Sequence, residues 1–438
     1  MVVWALARPL LGCRHMLLRR PSWPLAVALV IGVAVPGAWA ARRLLKPLFS
    51  KGGEHAIDIG PIPHGLTSTD GDACGTCHQA IAKEWRGSLH AQAWTDPIFQ
   101  DAYVLEPLAP CRNCHAPENI VREGVPASPQ VPEGAAARDG VSCAACHVRG
   151  GTVLTGMSNG WRESQKKAPH PVKATPALSS SAFCAGCHQF GFLAIVDGRH
   201  VETDEVQQDT FGEWQRSRSG QIGETCQDCH MPWVEVPAAG GARRHRSHAF
   251  IGGFDETFVR QAASVEVRAT LTPDGIVAEA RFTPGRIGHA FPTGDLFRRA
   301  ELKVWVDGLP AATATHALAR TFRDFTEPGP KGAPVRMRRQ VLDTRVPPPG
   351  TGAPAWRRIV IPGGQLQGAL AAAGHMTLPE IATLRWTFDY LLMPTPVAAS
   401  AGGAPVHTIR IGEGAVPLAR NTSRSPRPST PDSPENRP

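Results

Sequence analysis

Five times between residues 74 and 230, two cysteines stand three positions apart with a histidine directly after the second. The pairs are Cys74/Cys77, Cys111/Cys114, Cys143/Cys146, Cys184/Cys187 and Cys226/Cys229, followed by His78, His115, His147, His188 and His230. They account for ten of the 11 cysteines. This spacing suits covalent attachment of haem: two thiols add across the two vinyl groups of one porphyrin. The next residue is then carried under the ring, where its imidazole reaches the iron as proximal ligand. Zinc sites do not place a histidine after the second cysteine five times over. A redox dithiol needs one such motif in a βαβ setting. The expected cofactors are five haem c groups.

The motif starts lie 37, 32, 41 and 42 residues apart. So little chain per haem cannot bury each porphyrin separately. The haems are expected to pack on one another, to supply much of the apolar core, and so to form an electron path.

Residues 25–35 are an apolar run, LAVALVIGVAV, preceded by Arg19 and Arg20 and followed by Ala38-Trp39-Ala40. This reads as a signal peptide over residues 1–40, cleaved after Ala40. The run is short for a membrane-spanning helix. Met16 fits the start of a compact signal peptide better than Met1, and a start there removes Cys13, the odd cysteine. A lipobox over Leu10-Leu11-Gly12-Cys13 fits poorly, because Arg8 interrupts it and no basic segment precedes it. An exported, periplasmic protein is expected, touching a membrane only if the leader stays uncleaved.

The mature chain changes character near residue 258. Residues 41–258 hold all five motifs and read as short helices and loops, including a helix from His78 to Gly87, with few strand signals. Beyond 259 the apolar pattern alternates: Ser264–Ala269, Ile276–Phe282, Leu302–Val306, His316–Phe322, Trp356–Ile361, Thr383–Leu391 and His407–Ile411. The expected fold class is therefore α+β. A helical and loop-rich five-haem domain (41–258) precedes an immunoglobulin-like β-sandwich (259–418) and a disordered tail (419–438). Charge follows the same division. The haem region has 24 acidic against 20 basic residues, whereas residues 259–438 have 14 against 22. The overall +8 is no sign of nucleic-acid binding, because the propionates make the haem region more acidic still.

Five irons need five further ligands if each is to be six-coordinate, and bis-histidine ligation is the economical expectation. His90 follows the first motif closely. His248 closes the haem region, with His245 as its nearby rival. His64 precedes the first motif and His170 the fourth. His289 lies on a loop of the β region that could fold back onto the haems. His55, His200, His316, His375 and His407 read as exposed or structural.

Several flanks resemble the cytochrome c-554 family of multihaem cytochromes. They are Cys74-Gly75-Thr76-Cys77-His78 with Trp85-x-x-Ser88-x-His90-Ala91, Gly140-Val141-Ser142-Cys143, and Phe183-Cys184 with His188-Gln189. Glu213-Trp214-x-x-Ser217 before Cys226 to Pro232 completes the set. The resemblance covers roughly residues 60–258. It implies a periplasmic electron carrier with closely stacked, mostly bis-histidine haems, and it favours His90 and His248 as distal ligands. The chain departs from the family pattern by a fifth motif and an added β region. Electron transfer to other cytochromes or to a membrane oxidoreductase is the leading expectation. Reduction of a small nitrogen or sulfur oxyanion, or of hydroxylamine, at one open haem is the alternative.

Overall fold

Each attachment motif folds on a short helix, because a cysteine pair three apart shares one helix face. The first motif straddles the end of helix Gly71–Gly75. The others lie in helices Ala109–His115, Cys143–His147, Ser181–His188 and Cys226–His230. Four starts are capped. The Asp70 carboxylate accepts from the Ala73 N–H, Ser142 from Ala145, and Ser180 from Ala182, while Asp228 accepts from Thr225. Such caps are worth roughly 1 kcal/mol each, a large share of what holds a one-turn helix. The expected helix after His78 runs Gln79–Arg86 and buries Ala82 and Trp85.

The computed structural model describes residues 57–118, 138–156, 168–238, 241–296, 298–329, 332–352, 355–393 and 404–420. The leader, Met16, Cys13, His55 and the tail beyond 420 lie outside the described residues. All described residues fall in one compact unit, Phe49–Pro438.

Strands are commoner in the haem region than its sequence led us to expect. Three short ones form a sheet: β1 (Val148–Arg149), β2 (Thr152–Thr155) and β3 (Val172–Ala174). β4 (Phe190–Val196) pairs with β5 (Arg199–Gln208), and β6 (Trp233–Ala238) with β7 (Gly241–Arg246). β5 carries only Val201 and Val206 among polar residues and β7 no large apolar residue, so neither sequence shows an alternating apolar face. The readable signal was the turn: Asp197 and Gly198 both adopt positive φ, 49° and 75°, as two-residue hairpins of type I′ require.

Ten strands follow. They are β8 (Ala263–Thr272), β9 (Gly275–Pro284), β10 (Arg298–Val306), β11 (Leu309–Leu318), β12 (Arg320–Pro328), β13 (Pro334–Asp343), β14 (Trp356–Pro362), β15 (Thr383–Leu392), β16 (His407–Pro417) and β17 (Ala419–Arg420). They make two four-stranded sheets, β14-β9-β8-β17 and β11-β10-β15-β16, and a separate β12-β13 ribbon. The β8–β9 hairpin turns at Pro273-Asp274 as expected, in register from Ala263↔Pro284 to Thr272↔Gly275. The single strand expected over His316–Phe322 is instead divided at Ala319 between two sheets. β17 extends order into the start of the expected tail. The β12–β13 ribbon carries ion pairs across it, Arg338 with Asp324 and Arg339 with Glu327, and the alternation of Val335 and Met337 in β13 is broken at Arg339.

The two four-stranded sheets and helix Gly363–Ala372 share one apolar cluster, including Ile276, Leu302, Val304, Ile361, Leu384 and Phe388. In the haem region the corresponding buried cluster is Trp94, Tyr103 and Ala116. The space between the motif helices is a cavity.

Candidate haem-binding site

The cavity has a volume of about 2670 Å³ and is lined by all ten motif cysteines and all five motif histidines. A pocket for one small ligand measures about 300–1,000 Å³, so this one is sized for several large groups. The ten thiols are free, and burial pushes Cys111 up to about 11 and Cys146 up to about 12. Thiols of different motifs meet: Cys74 with Cys143, Cys114 with Cys187, and Cys184 with Cys226. Two of these three contacts join motifs that are not consecutive in sequence.

The histidines are poised as ligands. The Nδ1 atoms lie 2.7 Å from Ala93 O for His115, 2.9 Å from Leu154 O for His147, and 2.6 Å from Ile251 O for His230. An Nδ1–H donated to each carbonyl leaves the Nε2 lone pair free for a metal. The Gln208 carboxamide meets His188 Nδ1 at 3.0 Å. Burial, reinforced by neighbouring His188, His230 and His115, pushes His90 down to about 3. Burial likewise lowers His188, His248 and His289 to about 4. These rings stay neutral, as a metal ligand must.

Three sequence-distant imidazoles face motif histidines. Ring centres are 6.2 Å apart for His188 and His90, 6.1 Å for His147 and His248, and 6.2 Å for His230 and His289. With metal–imidazole bonds of about 2 Å, two imidazoles on opposite sides of one iron have ring centres about 6.3 Å apart. The residues present therefore fit haem. They comprise paired thiols for the vinyl groups, a following histidine, and a facing imidazole at the right spacing in three cases. Phe250 packs edge-on against both His90 (4.3 Å) and His248 (5.8 Å).

The remaining candidates sit differently. His170 lines the cavity and has a buried Nδ1 without a hydrogen-bond partner. His64 is exposed. His245 turns its Nε2 to both oxygens of Glu84 at 3.1 Å. His316 stacks on Phe282 and His407 on Phe254, while His200 and His375 are exposed. The ring against His115 is Phe99, stacked with centres 3.7 Å apart.

The folded chain is similar in architecture to a penta-heme cytochrome c552 from Thermochromatium tepidum. The TM-score is 0.52 at 20% identity, over 81% of this chain and 100% of that one. The sequence model of the family cytochrome c554 and c-prime matches residues 73–148. Residues 73–148 are thus similar to a family of multihaem c-type cytochromes, and the fold is similar to that of one. No curated protein matches it.

Sequence reasoning noted Trp85, Ser88, Glu213, Trp214 and Ser217 only as marks of resemblance, and missed that the pattern holds the loops carrying His248 and His289. Glu84-Trp85-x-x-Ser88 and Glu213-Trp214-x-x-Ser217 are two copies of one pattern, and they fold alike. Each serine hydroxyl donates to the tryptophan carbonyl, at 2.7 and 2.8 Å, and accepts an N–H three residues on. Each indole N–H is anchored on a carbonyl, Val141 and Glu224 respectively. Each glutamate then reaches a distal loop. Glu84 accepts the His248 N–H at 2.8 Å. Glu213 accepts the Ala290 N–H at 3.2 Å and the Thr293 hydroxyl at 2.6 Å, and it pairs with Arg345 at 2.7 Å. The repeat of Glu-Trp-x-x-Ser was the available signal.

Proposed function

We propose that the chain is an exported, periplasmic electron-transfer protein with five covalent haems, mostly bis-histidine. The pairs are His147 with His248, His188 with His90, and His230 with His289. The observation that carries this is the three facing imidazole pairs at 6.1–6.2 Å, each joining a motif histidine to one far away in sequence. A low-spin iron held by two imidazoles needs little rearrangement between oxidation states, and five irons in one cavity give electrons a continuous route. The protein's part is to fix the rings, keep them neutral and exclude water. His170 is the better placed of the two remaining candidates. The C-terminal sheets are an immunoglobulin-like cap whose Gly288–Gly294 loop delivers His289. Other cytochromes or a membrane oxidoreductase serve as donor and acceptor. The test is the mass and spectrum of the purified mature protein. Five haems with a dominant low-spin signal are expected, whereas fewer haems or mainly high-spin iron would overturn the reading.

A second reading, reduction of a small oxyanion or hydroxylamine at an open haem, draws on His115. Its ring neighbour is Phe99 rather than an imidazole. Carbon monoxide binding to one reduced haem distinguishes it from an all-hexacoordinate carrier.

A further inference from the structure

The haem cavity contains a cation that axial ligation does not use. Arg298, the first residue of β10, lines the cavity, as does Tyr390 of β15. The Arg298 Nη1 donates to Tyr390 Oη at 2.5 Å, and among the described residues no carboxylate forms an ion pair with it. Gly253, a few residues past His248, makes room for both groups. A Cβ there would lie 2.3 Å from the guanidinium and 2.6 Å from the phenol oxygen. Burial opposes the charge on Arg298, yet Tyr390, Asp295 and Asp96 outweigh it and hold the group above its ordinary value. Arg298 in turn acts electrostatically on His188 of the fourth motif.

A guanidinium presents five N–H donors in a planar fork matched to an anion with two oxygens. One donor is spent on Tyr390. Once haem fills the cavity and water leaves it, the others need an acceptor, because a buried N–H donor left without one costs free energy even when carboxylates nearby balance the charge. We propose that Arg298 and Tyr390 form an anion-binding site within the haem cavity, for a planar oxyanion presenting two adjacent oxygens. The carboxylate of a bound haem's propionate and a free anion such as nitrite share that chemistry. This rests on haem filling the cavity, and haem counting tests that separately.

The experiment uses the full holoprotein with Arg298→Leu, Arg298→Lys and Tyr390→Phe. Mass and haemochrome first confirm an unchanged haem count; missing haem in the parent protein would refute the haem reading, not this one. Potentiometric titration without added anion comes next. If a resident carboxylate is the ligand, Arg298→Leu lowers the potential of one haem, because the lost cation had favoured the reduced form. Arg298→Lys then restores most of the difference. If a free anion is the ligand, loss of the bare cation lowers a potential as well, but the parent protein then also gives an optical change on adding nitrite, which needs at least tenfold more nitrite in Arg298→Leu. Should Arg298→Leu fail to fold, Tyr390→Phe reads the same two quantities with smaller changes. Unchanged potentials together with an unchanged or absent nitrite response would overturn the proposal.

Discussion

The two halves of this molecule solve the problem of a core in opposite ways. Residues 263–420 bury Phe388, Leu302, Ile361 and their neighbours against one another. Among the described residues, the haem region closes Trp94, Tyr103 and Ala116 into a small cluster and lines a cavity of about 2670 Å³. The β region can be stabilised by its own side chains. The haem region must be stabilised by what is attached to it, since an apolar cavity of that size forfeits packing contacts along all its walls. Where the halves meet, the β region contributes an imidazole on a loop tied down by Glu213.

The largest test of this contrast is to withhold haem. A chain made without haem attachment is expected to keep the strand signal and protease resistance of residues 263–420 while residues 57–250 are digested. Equal resistance of both halves would show that the haem region has a core of its own.

Next in size is the effect of each facing imidazole. His289→Ala, His248→Ala and His90→Ala should each convert one haem from low to high spin, read by electron paramagnetic resonance, with the others unchanged. His245→Ala should convert none, because its Nε2 is occupied by Glu84. Any shift of spin state in that variant would transfer the distal role to His245.

Phe388→Ala asks the converse question of the β region. A buried Phe truncated to Ala costs about 3–5 kcal/mol, so the β region should melt earlier. The low-spin spectrum should survive below that transition, except at the haem served by His289. Uniform loss of all haem signals together would mean that the two halves unfold as one.

The smallest expected effects belong to the glutamates. Glu84→Gln and Glu213→Gln keep the shape but weaken the acceptor for the distal loop. An acceptor of this kind is worth about 1–3 kcal/mol when buried. One haem potential should move in each variant, the His248 haem for Glu84 and the His289 haem for Glu213. Melting temperature should change little for Glu84, which is less enclosed than Glu213.

Attachment chemistry was fully legible because it is local. Cys74, Cys77 and His78 need only one turn of helix, which a capped four- or five-residue segment provides wherever it sits. Strands with one apolar face, such as β8, β9 and β15, were legible for the same reason: a period of two is a property of the segment. β5, β7 and β13 were not: Val201 and Val206 of β5 fall out of alternation, β7 has no large apolar residue, and Arg339 breaks the alternation of Val335 and Met337 in β13. The division at Ala319 escaped because alternation continues through a bend.

Which imidazole faces which motif is a different kind of fact. His90 lies just after the first motif but faces His188 of the fourth, and His289 comes from the other half of the chain to face His230. Sequence alone thus singled out the ten thiols, the five motif histidines, and a short set of other histidines that includes the three facing them. Tertiary structure decided which of those imidazoles face which motif, the nearness of the first motif to the third through Cys74 and Cys143, and the employment of Glu84 and Glu213. The physical reason is range. A covalent motif is closed by neighbours in the chain, whereas an axial pair is closed only when two loops are packed to within a few ångströms of a common point.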